Sequence, residues 1–382
     1  MRTRKLYYED CHLKRFQANV LSCESREGRF CVILDATAFY PEGGGQAADT
    51  GYISSVNVLD TREEGETVVH ICDGPLTVGE TVEGAIHWEP RFHRMQQHTG
   101  EHMVSGLIHS RYGYHNTGFH MGADGITIDF DGPIPAEDLP GLEQAVNAAL
   151  WQDLEVRCFV PDPEELSRTF YRTKRALPWP VRIVQVPGID SCACCGVHCA
   201  RTGEVGLVKL FSAIPFRGGS RLLMACGGHA LQILNDAYGQ NRLVSQAFSA
   251  KPQETGEAAR RMNALLEEHK LRIGALERMI FSATAERYAG KGDVLHFQED
   301  LAPNAVRELA DLIADRCQGR AAVFSGSDGA GYSFCLMTRS GDLRQLGKDL
   351  TQTLSGRGGG KPGFQQGSVK ATRAQIEAFF RK

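Results

Sequence analysis

FHRMQQHTGEHMVSGLIHSRY, residues 92–112, is the stretch on which the fold turns. Met95, Met103, Leu107 and Ile108 give it an apolar stripe at helical spacing, and Gly113 can cap its C-terminus. A helix is therefore predicted from about Phe92 to Tyr112. On it, His98 and His102 stand four residues apart, so their imidazoles lie one above the other on one face. The texture of the chain differs on the two sides of this helix.

Upstream, residues 1–90 read as short strands at Arg29–Leu34, Gly51–Leu59, Thr67–Cys72 and Thr81–Trp88. Gly, Asp and Asn punctuate them, which predicts a small antiparallel barrel. Phe39-Tyr40-Pro41-Glu42-Gly43-Gly44-Gly45-Gln46 interrupts the pattern as a loop poor in side chains, whose backbone can approach another group closely. Downstream, a second helix is predicted near Leu142–Gln152, with strands at Gly125–Phe130, Val181–Val186 and Val205–Phe211. That mixture predicts an α+β domain over roughly 91–240.

From Met262 the apolar steps alternate four and three through Leu266, His269, Ile273, Leu276, Ile280 and Ala283, a heptad seam on a long connector helix within 241–290. His269 on the seam is read as a structural oddity before a ligand. Residues 291–382 close the chain as an α/β unit. Its strands are predicted at Val294–Phe297, Ala322–Ser325 and Tyr332–Met337, its helices at Asn304–Arg316 and Leu343–Leu354, with a glycine-rich stretch over 355–363. The fold class is therefore α+β and multidomain.

A net charge of −4 gives an RNA partner no support and does not exclude one, because a local basic patch can sit on an acidic protein. The N-terminus carries charges where a signal peptide needs an apolar core, and no apolar run approaches a membrane span. The protein is read as cytoplasmic, with no membrane partner. Twelve cysteines in such a compartment point to metal binding or inert burial rather than to disulfides.

Four of them, Cys192, Cys194, Cys195 and Cys199, crowd together. Cys194-Cys195-Gly196-Val197-His198 places a thiolate and an imidazole four apart, the spacing of the His98–His102 pair. Three His and one Cys would fill a tetrahedral zinc site, so one Zn2+ per chain is expected on His98, His102, Cys194 and His198. The competing readings are solvated histidines with buried cysteines, or a knuckle of the four cysteines, whose spacing is too tight for paired CxxC motifs. Glu101 lies inside the HxxxH, but the metalloprotease pattern needs Glu where Thr99 stands. Structural zinc is closed and catalytic zinc keeps a place open, and the spacing leaves that choice unmade.

At this point the motifs resemble a known family. HTGEH at 98–102, the run from Cys194 to Gly206, and the Phe39–Gln46 loop followed by Asp49-Thr50-Gly51 resemble the editing half of alanyl-tRNA synthetase. They are still more similar to the free-standing AlaX-type editing proteins. Gly358-Gly359-Gly360-Lys361-Pro362 resembles the C-terminal domain of the same synthetase, and the domain order is that of the long AlaX form. The resemblance implies zinc on His98, His102, Cys194 and His198, and a pocket for the misattached amino acid lined by Gly44, Gly45 and Gln46. It implies hydrolysis, in trans, of the ester joining serine or glycine to tRNA(Ala). The barrel begins near Met1, so no aminoacylation half is expected.

This chain departs from the family in three places: Gly196-Val197 in the cysteine motif, Glu101 before the second histidine, and Glu42 before the glycine loop. Gln46 is the first candidate to sense the serine hydroxyl, and Glu101 is a candidate general base. His120 is a candidate to face the site. Arg217 and Arg221, with Lys361 in the tail, are expected to meet tRNA phosphates. The connector helix and C-terminal domain could join two chains as a homodimer. The competing function is an RNA-binding protein with a purely structural zinc, followed by a zinc hydrolase of another aminoacyl ester.

Overall fold

The structure, a computed structural model, describes residues 1–122, 125–173 and 177–381. It divides into two compact units, 1–243 and 244–382. The architecture is mixed α and β, with several sheets and, among the described residues, eight α-helices. No helix of the described residues is long and apolar enough to cross a membrane.

The first unit opens with six antiparallel strands: Arg15–Arg26, Arg29–Leu34, Gly51–Ile53, Val56–Glu64, Thr67–Cys72 and Thr81–Ile86. Each pairs with two others, so the ring of pairings closes into a barrel. The longest strand shows why. From Arg15 to Val20 exposed and buried residues alternate, and Phe16, Ala18 and Val20 point inward onto Val32, Leu34, Ile53 and Val82. Glu27 and Gly28 turn the first hairpin with φ of 52° and 77°, the mirror-image turn that matches strand twist. The single strand expected over Gly51–Leu59 is two, because Ser54 at φ 52° makes a hairpin between them.

The helix Trp88–Tyr112, here called α1, leaves the barrel and runs through the core of the unit. It starts one turn earlier than expected, since Pro90 sits in the first turn, where no N–H is required. Gly113 ends it in the left-handed region at φ 75°. Two sheets pack around it. One has four strands in the order Val208–Phe216, Gly219–Cys226, Gly125–Phe130, Asn116–Gly122; the other pairs Arg157–Phe159, Ile183–Val186 and Asp190–Ala193. Gly100 permits the first approach: a Cβ there would lie 2.3 Å from Cys226 Sγ. The segment 118–122 is strand, and the 139–150 helix covers the far face through Leu142, Val146 and Leu150.

In the second unit the helix Thr255–Glu286 carries the heptad seam, and Gly274 does not break it. Its last turns pack through Phe281 and Ala285 against the helix Pro303–Cys317. That helix joins the parallel strands Gly292–Phe297 and Gln318–Ser327 of a five-stranded sheet. The glycine-rich stretch is not a loop: Arg357–Lys361 is an exposed edge strand paired with Phe364–Val369.

Candidate metal centre

Two local patterns converge on one point. His98 and His102 project from one face of α1, and Cys194 and His198 follow the strand Asp190–Ala193. Their four ligand atoms all lie within 4.8 Å of one another. Cys194 Sγ stands 3.4 Å from His98 Nε2 and 3.4 Å from His198 Nε2. A tetrahedral ion with the usual Zn–N and Zn–S lengths separates its ligand atoms by roughly 3.3–3.8 Å, so the cluster has the size of a zinc site.

The outer hydrogen bonds fix which nitrogen faces inward. Gln46 Oε1 accepts from Val197 N at 3.2 Å, so that atom is the oxygen of the amide. It lies 3.0 Å from His98 Nδ1, which must therefore donate, leaving the Nε2 lone pair toward Cys194. His102 Nδ1 lies 3.2 Å from Asp190 Oδ2, a carboxylate also held by Arg172 through Nε and Nη2 at 2.7 and 2.9 Å. His198 Nδ1 lies 3.3 Å from Thr99 Oγ1, which also accepts from Cys199 N. Each of the three imidazoles thus has an oxygen near its outer nitrogen, within hydrogen-bond distance for His98 and His198 and at ion-pair distance for His102, the kind of arrangement that orients metal ligands.

For Cys194 and His198 the electrostatics agree. Burial alone would raise the Cys194 thiol, but His98, and the hydrogen bonds and charge of His102 and His198, outweigh it and hold the thiol well below its usual value. The thiolate is the metal-binding form. Burial, then His98, push His198 well down, toward the neutral ring a metal needs. Burial opposes charge on His102 as well, but the carboxylate of Asp190 and the thiolate of Cys194 prevail and raise it. Gly196 completes the cradle: a Cβ there would fall 2.3 Å from His98 Cε1. The residues present fit zinc.

Of the four crowded cysteines, Cys194 alone joins this cluster among the described residues. Cys192 neighbours His102 and Asp190, Cys195 Sγ is 4.0 Å from Tyr40 Oη, and Cys199 is buried in the core.

A cavity of about 310 Å³ opens beside the cluster, bordered by Gly44, His98, Glu101, Asn116 and Phe119. Glu101 is no surface carboxylate. It is buried, and its Oε1 accepts from Ser105 Oγ and Asn116 Nδ2, both at 2.6 Å. Its Oε2 lies 3.9 Å from His102 Nε2. Gly44 and Gly45 take φ of 60° and 82°, and a Cβ on Gly45 would strike Phe119 at 2.8 Å, so the loop presses on that ring. Phe119 in turn stacks on His98 at 5.3 Å. The loop is pinned at its base, where Tyr40 N donates to Asp49 Oδ2 at 2.8 Å, and Asp49 is buried against Arg91 of α1.

The other sequence candidates lie elsewhere. Gln46 and Gly45 border a neighbouring cavity with His120, not the one beside Glu101. Arg221 is held by Asp129 through two hydrogen bonds of 2.6 and 2.8 Å, and Arg217 sits exposed at the hairpin end, 5.0 Å from the Phe216 ring centre. Lys361 is an exposed residue of the second unit. Asp190, Arg172, Ser105 and Asn116 were missed. Ser105 could have been found, one helical turn from Glu101; the other three depend on pairings distant in sequence.

Residues 3–90 match the family model of class II (A) tRNA synthetases, and 181–221 match that of the threonyl and alanyl tRNA synthetase second additional domain. The segment that carries Cys194 and His198 is thus similar to the second additional domain of those synthetases. Over 400 residues the chain is 26% identical to the alanyl-tRNA editing protein Aarsd1-B of Xenopus laevis, covering 98% of this chain and 96% of that one. It is 27% identical over 402 residues to the alanyl-tRNA editing protein AlaX-L of Pyrococcus horikoshii, covering 97% and 96%. It is also 30% identical over 398 residues to the alanine–tRNA ligase of Thermofilum pendens, of whose length it spans 43%. Along nearly its whole length the chain is thus similar to AlaX-type alanyl-tRNA editing proteins.

Proposed function

We propose that this chain is an aminoacyl-tRNA deacylase that removes serine, and glycine, from mischarged tRNA(Ala) in trans, with one zinc per chain, in the cytoplasm. The observation that carries the reading is a half-buried cysteine and three buried imidazoles converging on one point at the wall of a cavity that also holds a buried carboxylate. Alanine and serine differ by a hydroxyl that a hydrophobic pocket rejects poorly, so a second, polar site is the chemical remedy.

His98, His102, Cys194 and His198 would hold the ion. When bound, zinc supplies Lewis acidity toward the ester carbonyl or a water. Glu101 Oε1 is fixed by Ser105 and Asn116, which aims the carboxylate into the cavity as general base for the attacking water. Phe119 and the Gly44 backbone confine the amino acid. Gln46 acts on His98 as a positioning residue. Arg217 and Lys361, both exposed, are proposed to meet tRNA phosphate; Arg221 can do so only by leaving Asp129. Met262, Leu266, Ile273, Leu276 and Ile280 each expose 41–56% of their surface along the seam, which supports a homodimer through this helix.

The test is deacylation of seryl-tRNA(Ala) by the wild-type protein and by Cys194→Ala. Ester loss no faster than in buffer, with tRNA still bound, would establish instead an RNA-binding protein with a structural metal.

A further inference from the structure

The Gly43–Gln46 turn is a wall between two cavities. Gly44 borders the one beside Glu101; Gly45 and Gln46 border the other, of about 330 Å³, which no part of the proposed reaction uses. The second cavity is lined by His93 and Arg94 of α1, His120 of the Asn116–Gly122 strand and His229 of the Gly227–Ala247 helix. His93 and His229 stand with ring centres 5.4 Å apart. Among the described lining residues Glu42 is the single carboxylate, and it is exposed.

Arg94 is the centre of the argument. Its nearest carboxylate oxygen, Asp49 Oδ1, is 3.6 Å away, and Asp49 is already bound by Arg91 and by the Tyr40 amide. One carboxylate thus serves two guanidinium groups, and the local balance is positive. Burial holds the His93 pKa down, and His229 and Arg94 beside it add to the effect. Gln46 adds a donor: its Nε2 is buried and has no partner among the described residues, although its Oε1 is fully engaged. A guanidinium, several imidazoles and an unspent amide N–H form a set of donors that suits a tetrahedral oxyanion.

We propose that this cavity is a phosphate site in which Arg94, His93, His229 and Gln46 hold one phosphate group behind the glycine loop. On the deacylase reading, the RNA backbone beside the aminoacylated end presents that phosphate. Only that source rests on the deacylase reading; the site itself does not.

Titration calorimetry of the full-length, zinc-loaded protein with inorganic phosphate tests the site, with zinc content per chain and thermal melting as controls. Arg94→Gln should weaken phosphate binding about tenfold or more, as expected for loss of a charge-assisted pair, and His229→Gln several-fold. Arg94 neighbours the buried Asp49, so if Arg94→Gln fails to fold, His229→Gln carries the test. No phosphate binding by the wild type, or equal affinity in the folded variants, overturns the proposal. A second arm adds an RNA hairpin with a CCA end. Displacement of phosphate by the hairpin identifies the backbone as the source; simultaneous binding identifies free phosphate. Either result upholds the site. Deacylation is assayed apart, so loss of activity and loss of this site are read separately.

Discussion

The amide oxygen of Gln46 lies 3.0 Å from Nδ1 of His98, joining the glycine loop to α1 across 52 positions of sequence. That contact sets the tautomer of a ligating ring from a residue that does not itself ligate. Gln46→Ala should lower zinc affinity about 10- to 100-fold, as loss of an outer hydrogen bond to a metal ligand does. Gln46→Glu, which keeps an acceptor at that place, should retain most of it. Competition with a chromogenic chelator measures both. Equal affinities in wild type and Gln46→Ala would show that His98 is oriented by other means.

Gly196→Ala tests the fit of the cradle. The added methyl would fall 2.3 Å from His98 Cε1, and the neighbouring backbone is already committed to Gln46 and Arg182. Overpacking of this kind costs about 1–3 kcal/mol. The expected outcome is a lower melting temperature together with less than one zinc per chain by elemental analysis. Normal metal content would mean that the ring can shift without cost.

Glu101→Gln separates chemistry from packing. The amide preserves an oxygen for Ser105 and Asn116 but cannot take a proton. Deacylation should fall by about 10²- to 10⁴-fold in kcat, with KM and zinc content little changed. Ser105→Ala should cost much less. A Glu101→Gln protein with wild-type kcat would reduce Glu101 to a structural member of the network.

His70 gives the barrel a pH dependence of its own. It is fully buried, with Nδ1 donating to Val32 O at 3.0 Å and Nε2 2.8 Å from Thr37 Oγ1, and burial lowers its pKa to about 4. The unfolded chain binds the proton more tightly, near the ordinary value of 6.5. Stability is therefore complete above pH 6.5 and falls as pH drops from there toward 4, by about 3 kcal/mol in all. Urea midpoints of the metal-free protein should show this slope, and His70→Gln should flatten it. Parallel slopes would exclude His70 as the source.

The sequence made some of this legible and hid the rest for physical reasons. The His98–His102 and Cys194–His198 pairs were readable because helical pitch and local spacing determine them. Asp190, Arg172 and Asn116 were not, because their roles arise from strand pairing and from the packing of sheets on α1. The α1 stripe looked thin for a helix so deeply buried, since Gln97, Thr99, Glu101 and Ser105 are interior residues that bond one another's neighbours. Gln46 was read as a hydroxyl sensor, and nothing in the sequence showed that its oxygen is committed to His98 and Val197. The strand within the 355–363 glycine-rich stretch was not legible because it carries no side-chain pattern, and pairing with Phe364–Val369 defines it instead.

The clamp formed by Tyr40, Asp49 and Arg91 has an architectural consequence. Arg91 precedes His98 by two turns of one rigid helix, so the base of the 41–48 loop and the imidazole share a single mechanical frame. Adding or removing a residue in that loop cannot be absorbed locally; it must displace the ring or break the clamp. Such a pocket can be retuned residue by residue but not resized by lengthening its rim, which ties the reach of its specificity to the fixed length of one short segment.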